Sequence, residues 1–135
     1  GCRCSYRYGG HEVEPDEYPP WMLELLQVTM PFFGLTQAAE WPTSCNLNLY
    51  DTGGSSVAWH ADDESLFNGK HQDIRILSLS LGVTRMFELR ANQQNDSKAA
   101  HRMTLGTGDL CTMEGMAQKH YQHRVPPDGN IQAPR

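Results

Sequence analysis

Short apolar runs with a period of two residues, separated by polar turns, dominate the chain from Cys45 onwards and limit it to a β-rich fold. Such alternation places every second side chain on one face of a strand. The strands are predicted at 45–50, 57–62, 74–81, 85–90, 101–105, 109–113 and 121–125. Short strands at this spacing indicate an all-β core of the sandwich or jelly-roll type, and Gly106 and Gly108 indicate a tight turn.

One amphipathic helix is predicted before this region. Apolar residues recur every three or four positions over residues 21–30, with Pro20 at a typical helix start and Pro31 as the stop. We expect residues 1–44 to form an N-terminal segment whose helix packs on the sheet. Residues 45–135 are then the core of what is a single domain overall, since 135 residues allow one hydrophobic core.

The net charge of −5 is distributed unevenly. Residues 12–64 contain ten of the 16 acidic residues and no Lys or Arg, whereas residues 65–135 contain nine of the 11 basic residues. Nucleic-acid binding by counterion release requires clustered cations, so charge alone argues mildly against a strong nucleic-acid interaction. A protein partner on the acidic surface is the alternative that the charge favours.

No stretch of the sequence approaches the roughly 18 uncharged apolar residues of a membrane-spanning helix, and no secretory signal is visible. Cys2 and Cys4 are too close for the usual zinc spacing, while Cys45 and Cys111 stand apart from them, which favours free thiols over a zinc site. We therefore expect an intracellular protein without a membrane role, in the nucleus, the cytoplasm or an organelle.

His60 and Asp62 form the first candidate metal site. Two residues apart on a strand, with a rise of roughly 3.3 Å per residue, they project from one face about 7 Å apart and can reach one cation. A second imidazole from a distant strand would complete a set of two histidines and one carboxylate, which binds Fe(II) and leaves positions open for a cosubstrate and O2. Zinc would prefer a closed tetrahedron, or three ligands and a water. The alternative interpretation of His60 is an ordinary surface histidine beside an acidic turn.

The residues leave the second imidazole open. His101, His120 and His123 are all available. His123 is favoured because Tyr121 and Val125 share its strand face, which suggests a half-buried side. A solvated strand end is the alternative for the pair His120 and His123.

Several further motifs follow one another in the chain. They are Asn48-Leu-Tyr50, His60-Ala-Asp62-Asp63-Glu64, Ile76-Leu-Ser-Leu-Ser-Leu-Gly82, Arg85-Met-Phe, Gly108-Asp109-Leu, Tyr121-Gln-His123 and Ala133-Pro134-Arg135. In this order and spacing they resemble the AlkB-like Fe(II)/2-oxoglutarate-dependent dioxygenases, a nucleic-acid dealkylase family. The opening Tyr6-Arg-Tyr8 is similar to the aromatic segment before that family's first core helix. The resemblance implies a double-stranded β-helix, that is, a cupin-like jelly roll.

The resemblance also implies the roles of individual residues. The catalytic metal ligands for Fe(II) are His60, Asp62 and His123. The residues that bind 2-oxoglutarate are Asn48, Tyr50 and Arg135, of which the arginine suits the distal carboxylate because a guanidinium binds it bidentately. The substrate-binding residues are Glu64, Tyr6 and Arg85.

The implied reaction is oxidative demethylation of an N-alkylated nucleobase in DNA or RNA, as in DNA repair or RNA modification, with release of formaldehyde, CO2 and succinate. The base would have to be flipped or single-stranded, because a methyl group inside a duplex cannot reach a buried metal.

The chain departs from the family pattern at its end. The family's closing motif runs Arg-x-Asn-x-Thr-x-Arg, and the chain stops at the first arginine, Arg135. We therefore expect a chain truncated at the C-terminus, without the last strand and with an unpaired sheet edge. Two alternatives follow. The chain is a catalytically inactive AlkB-like structural or partner-binding module of a larger assembly, or an oxygenase acting on a protein or a small molecule.

Overall fold

The structure, a computed structural model, describes residues 5–8, 11–92 and 101–135. The chain divides into two compact units, Gly1–Leu47 and Asn48–Arg135. The predicted domain bounds stay a prediction. Within the described part of the chain, no helix is long and apolar enough to cross a lipid bilayer.

The first unit is a short hairpin followed by helices. Its antiparallel hairpin, which the sequence did not predict, pairs Tyr6 with Val13 and Tyr8 with His11. The elements in chain order are β1 (Tyr6–Tyr8), β2 (His11–Val13), α1 (Pro20–Thr29) and two 3-10 helices, Met30–Phe33 and Ala38–Glu40.

Proline sets both ends of α1. The helix begins at Pro20, in the first helical position, where the missing N–H costs nothing. It ends at Thr29, one residue before the predicted end, because the chain tightens into the 3-10 helix around Pro31, which has no N–H for an α-helical hydrogen bond. Gly34 stops that segment with a φ of 76°, in the left-handed region that favours glycine. The packing of α1 on a sheet stays a prediction.

The second unit is built from antiparallel strands. A four-stranded sheet has the order β3-β8-β5-β6, and a two-stranded sheet pairs β4 with β7. The elements are β3 (Val57–His60), β4 (Ile76–Leu79), β5 (Arg85–Ala91), β6 (His101–Leu105), β7 (Leu110–Met113), α2 (Ala117–His120) and β8 (Tyr121–Val125). An antiparallel β core with few helices is thus confirmed.

Most strand predictions hold within two residues, and one is wrong. The ranges 101–105 and 121–125 are strands as predicted. Residues 45–50 are not a strand: of this run, Tyr50 exchanges backbone hydrogen bonds with Arg135, 2.9 Å each way, while Leu47 and Leu49 are largely exposed. Alternating apolar residues form a strand only when a neighbouring strand pairs with them, and a single pair does not make a ladder.

The predicted turn at Gly106 and Gly108 is confirmed. The backbone N–H of Gly106 donates to the Asp109 carboxylate at 2.7 Å, and Gly108 has a φ of 86°. This turn joins β6 of the larger sheet to β7 of the smaller one. The chain therefore passes from the larger sheet to the smaller one at this turn.

Candidate active site

Three side chains of the second unit converge in one cluster. His60, Asp62 and His123 each offer a ligand atom, and these atoms all lie within 4.8 Å of one another. The Asp62 carboxylate oxygens lie 3.6 Å from Nε2 of His60 and 3.5 Å from Nε2 of His123. Two imidazoles and one carboxylate around one point can hold a single divalent ion, and this donor set is the one that non-haem Fe(II) proteins use.

Strand pairing brings the two histidines together. β3 and β8 run antiparallel, and their register places His60 directly opposite His123. The register shifts between Val57 and His60, as at a β-bulge, and bulges re-aim side chains near active sites. The two rings lie 4.2 Å apart between centroids. Hydrogen bonding to the Ala58 carbonyl, 2.8 Å from Nδ1 of His60, orients the first ring and leaves Nε2 for the cluster.

A buried glutamine holds the backbone of Asp62. Asp62 follows the end of β3, and its backbone N–H donates to Oε1 of Gln118 at 2.8 Å. Gln118 is 2% exposed and lies in the one-turn helix α2 that precedes β8. The same short stretch of chain therefore carries His123 and the group that holds the backbone of Asp62.

Burial makes the cluster unfavourable for bare charges. Burial raises the pKa of Asp62; the positive charge of His60 opposes this, and the carboxylates of Glu64 and Asp63 add to it. A carboxylate in such surroundings is stabilised by a nearby cation. The chemistry of the site thus fits a bound metal ion.

His123 is held as a neutral imidazole. Burial and the neighbouring charge of His60 lower its pKa to about 4, and Phe87 stacks on its ring with centroids 5.5 Å apart. A neutral ring keeps a lone pair for a metal. Of the histidines that the sequence left open, His123 lies in the cluster, whereas His101 is exposed on β6 and His120 ends α2.

Arg135, the last residue of the second unit, offers a buried donor. Its Nη2 donates to the Ser80 hydroxyl at 2.7 Å, while its Nη1 is buried and has no hydrogen-bond partner among the described residues. A buried donor of this kind requires an acceptor. Since a carboxylate is a suitable acceptor, the residue fits the predicted contact with the distal carboxylate of 2-oxoglutarate.

The other two predicted cosubstrate residues precede β3. Tyr50 is half-buried and lies next to Arg135 through their paired backbone hydrogen bonds. Asn48 is exposed, two residues earlier in the same extended segment. Their contacts with a cosubstrate stay predictions.

Arg85 has contacts different from those of the predicted substrate-binding residue. Its side chain is 1% exposed, and its guanidinium donates to four backbone carbonyl oxygens, those of Thr52, Gly53, Ser55 and Pro126, at 2.8–3.3 Å. A guanidinium covered in this way has no open face for a nucleobase. These contacts do not support the predicted substrate role, and they indicate a structural or positioning role.

Two predicted substrate residues remain. Glu64 is half-buried, two residues after Asp62, at the start of a turn in which Phe67 and Asn68 donate to its carbonyl oxygen. The backbone of Tyr6 belongs to β1, but its side chain lies outside the described part of the chain, as do Cys2 and Cys4.

Sequence reasoning missed Gln118 and the full role of Ser80. Gln118 lies in a helix of one turn, which is too short to produce a periodic pattern. The Ser80 hydroxyl accepts a hydrogen bond from the Arg135 guanidinium, 55 positions away in the chain. A contact across that separation leaves no local signal in a single sequence.

An antiparallel β core that presents two histidines and one aspartate to one point defines a candidate non-haem metal oxygenase. The chain belongs to the 2OG-Fe(II) oxygenase superfamily, whose family model matches residues 1–135. Fe(II) and 2-oxoglutarate are the cofactors that this family implies.

The curated relatives carry AlkB names, which confirms the resemblance to AlkB-like dioxygenases. The chain is 33% identical over 136 residues to alpha-ketoglutarate-dependent dioxygenase alkB homolog 3 of Bos taurus, covering 96% of this chain and 45% of the relative. It is 36% identical over 94 residues to the Homo sapiens protein of the same name, covering 65% and 32%. It is 28% identical over 131 residues to DNA oxidative demethylase ALKBH2 of Arabidopsis thaliana, covering 82% and 39%. The chain spans less than half the length of these relatives.

Proposed function

We propose that the chain carries the active site of an enzyme that oxidatively demethylates an N-alkylated nucleobase in DNA or RNA. The observation that supports this most directly is the convergence of His60, Asp62 and His123 within 4.8 Å of one another. The proposed products are the demethylated base, formaldehyde, succinate and CO2. The proposed fold is the double-stranded β-helix, supported by the two antiparallel sheets and the family match.

In this proposal, the metal and the cosubstrate are bound by different residues. Fe(II) is held by the two imidazoles and the Asp62 carboxylate. Bound Fe(II) and 2-oxoglutarate would supply the oxidation, in which one oxygen atom of O2 is inserted into a C–H bond of the methyl group and the other enters succinate. The cosubstrate would be bound by Arg135, whose buried Nη1 is available for a carboxylate, and by Tyr50 and Asn48, which precede β3.

The chain's own residues set the protonation of the site. His123 is neutral at physiological pH, because its pKa lies near 4, so this residue does not have to be deprotonated before it binds a metal. Burial makes the negative charge of the Asp62 carboxylate energetically unfavourable, and a bound metal ion would serve as its counter-ion.

Nucleic acid is the proposed substrate class because of the relatives. One of them is named a DNA oxidative demethylase. Glu64 provides a hydrogen-bond acceptor two residues from a metal ligand, where it would accept from the exocyclic amino group of a flipped base. The acidic residues between 12 and 64 would suit a protein substrate or a protein partner better than a nucleic acid. The test below therefore includes a protein substrate and the absence of activity among its outcomes.

Formaldehyde release tests the proposal. The chain, loaded with Fe(II) and 2-oxoglutarate, is incubated with single-stranded oligonucleotides carrying N-methylated bases, with the unmethylated oligonucleotides and with protein extract. We expect formaldehyde from the methylated oligonucleotides alone. His123→Gln should abolish it, whereas His101→Gln, a change on exposed β6, should not. Release confined to protein extract would contradict the nucleobase assignment, and release from none would contradict the enzymatic one.

A further inference from the structure

Arg85 lies where three segments of the second unit meet. Its guanidinium binds the carbonyl oxygens of Thr52 and Ser55, which precede β3, and that of Pro126, which follows β8. It therefore connects the segment before β3, which carries His60, to the segment after β8, which carries His123. β5, on which Arg85 itself lies, pairs with β8 between them.

The charge of Arg85 lacks a carboxylate partner. Among the described residues the side chain forms no ion pair, and its Nε is buried without a hydrogen-bond partner. Burying an unpaired charge is costly, and four carbonyl dipoles offset only part of that cost. Arg85 is thus a buried cation whose surroundings favour an anion nearby.

The same guanidinium faces the candidate cosubstrate residues. Its Cζ lies 5.5 Å from the centre of the Tyr50 ring, within the range of a cation–π contact. Tyr50 in turn exchanges backbone hydrogen bonds with Arg135. Burial lowers the pKa of Arg135; Tyr50 raises it, the positive charge of Arg85 lowers it further, and Asp109 raises it. Tyr50 thus contacts both arginines, Arg85 through its ring and Arg135 through its backbone.

We propose that Arg85 is a positioning residue for the cosubstrate site: it orients Tyr50 and adds a second positive charge, so that the site favours a dianionic 2-oxo acid over a monoanionic one. The inference rests on the proposed function, because it assigns the missing counter-ion to the cosubstrate. A dianion placed near both guanidiniums relieves their repulsion, whereas a monoanion of the same length relieves less of it. Arg85 does this without contacting the substrate, since its donors are taken by backbone carbonyls.

The test compares two ligands of equal length in the Fe(II)-loaded chain without O2, so that binding is measured without turnover. 2-Oxoglutarate has a distal carboxylate, and 2-oxopentanoate has a methyl group in its place. Dissociation constants are measured for the wild type, for Arg85→Lys, which retains the charge, and for Arg85→Met and Arg85→Gln, which do not. The matched control is Arg75→Met, a change at an arginine whose ion pair with Glu114 is exposed on both sides.

We expect the neutral variants to weaken 2-oxoglutarate binding by about tenfold and 2-oxopentanoate binding by less than about threefold, because one charge near the distal carboxylate is lost. Arg85→Lys should keep most of the preference for the dianion, and Arg75→Met should keep all of it. Arg85→Gln retains an amide donor for the carbonyls and gives the same comparison where Arg85→Met does not fold.

The inference would be overturned if Arg85→Lys and the neutral variants all weakened the binding of both ligands by the same factor. That result would indicate a purely structural role for Arg85. In that case wild-type binding of 2-oxoglutarate would still support the proposed function. Absence of 2-oxoglutarate binding by the wild type would overturn both.

Discussion

His60 and His123 lie opposite each other on neighbouring antiparallel strands, with ring centroids 4.2 Å apart, although 62 residues separate them in the chain. Each Nε2 is within 3.6 Å of a carboxylate oxygen of Asp62. The register of one strand pair therefore positions two of the three candidate metal ligands, and a change that weakens that pair should also weaken metal binding.

The lowered pKa of His123 predicts a pH-dependent stability in the metal-free chain. Its pKa is about 4 when folded, against an ordinary value of 6.5, so the unfolded chain binds more protons between these values. The free energy of unfolding is therefore highest, as far as His123 is concerned, above pH 6.5. It decreases as the pH falls towards 4, by at most roughly 3 kcal/mol.

The measurement is urea unfolding of the wild type and His123→Gln in the presence of a chelator, from pH 4 to pH 8. The raised pKa of Asp62 has the opposite effect, because it favours the folded state at lower pH. Subtracting the unfolding free energy of His123→Gln from that of the wild type removes this contribution of Asp62. A difference between the two proteins that does not vary with pH would contradict the buried, neutral state of His123.

Gln118→Leu should weaken metal binding without removing a ligand. The change leaves the backbone N–H of Asp62 without its acceptor in a partly buried position, which should cost about 1–3 kcal/mol of unfolding free energy. Loss of a group that orients a ligand typically lowers metal affinity by about 10–100-fold. Gln122→Leu on β8 is the control, because Gln122 bonds Arg90 rather than a residue of the cluster. Equal metal affinity in the two variants would show that Gln118 does not position Asp62.

Glu88→Ala should destabilise the larger sheet strongly. Glu88 is 3% exposed and pairs with Arg102 at 2.9 Å and Arg124 at 2.6 Å. Removing this buried carboxylate deletes its charge-assisted hydrogen bonds to two arginines that reach solvent, which should cost about 1.5–3 kcal/mol. The exposed pair Arg75–Glu114 provides the control, since Glu114→Ala should cost less than about 1 kcal/mol. Urea midpoints that shift equally in the two variants would contradict this difference.

Gly53→Ala should displace the segment that carries Arg135. A Cβ at this position would lie 1.7 Å from the carbonyl oxygen of Asp128, so the backbone has to move. The two residues are also joined by a 2.8 Å hydrogen bond from Asp128 to Gly53. Gly129→Ala meets nothing within 4 Å and is the control. We expect a lower unfolding temperature and weaker 2-oxoglutarate binding for Gly53→Ala but not for Gly129→Ala. Unchanged 2-oxoglutarate binding in Gly53→Ala would show that this contact does not position Arg135.

The sequence predicted those features that depend on local patterns. Alternation located β6 and β8 with their correct bounds, and the spacing of His60 and Asp62 identified two members of the cluster. The face shared with Val125 favoured His123, which is buried in the structure.

Long-range contacts could not be predicted in this way. The run before Tyr50 alternates but lacks a paired strand among the described residues, so alternation alone was misleading there. Gln118 and Arg85 act through partners 56 and up to 41 positions away, which a single sequence does not reveal.

The most direct measurement is a titration of the full chain with Mn(II), followed by electron paramagnetic resonance, with Fe(II) added as competitor in the absence of O2. We predict one Mn(II) site per chain that Fe(II) displaces, lost in His60→Gln, Asp62→Asn and His123→Gln and retained in His101→Gln. Unchanged Mn(II) binding in the three ligand variants, or no stoichiometric binding by the wild type, would contradict the metal site on which the proposed function depends.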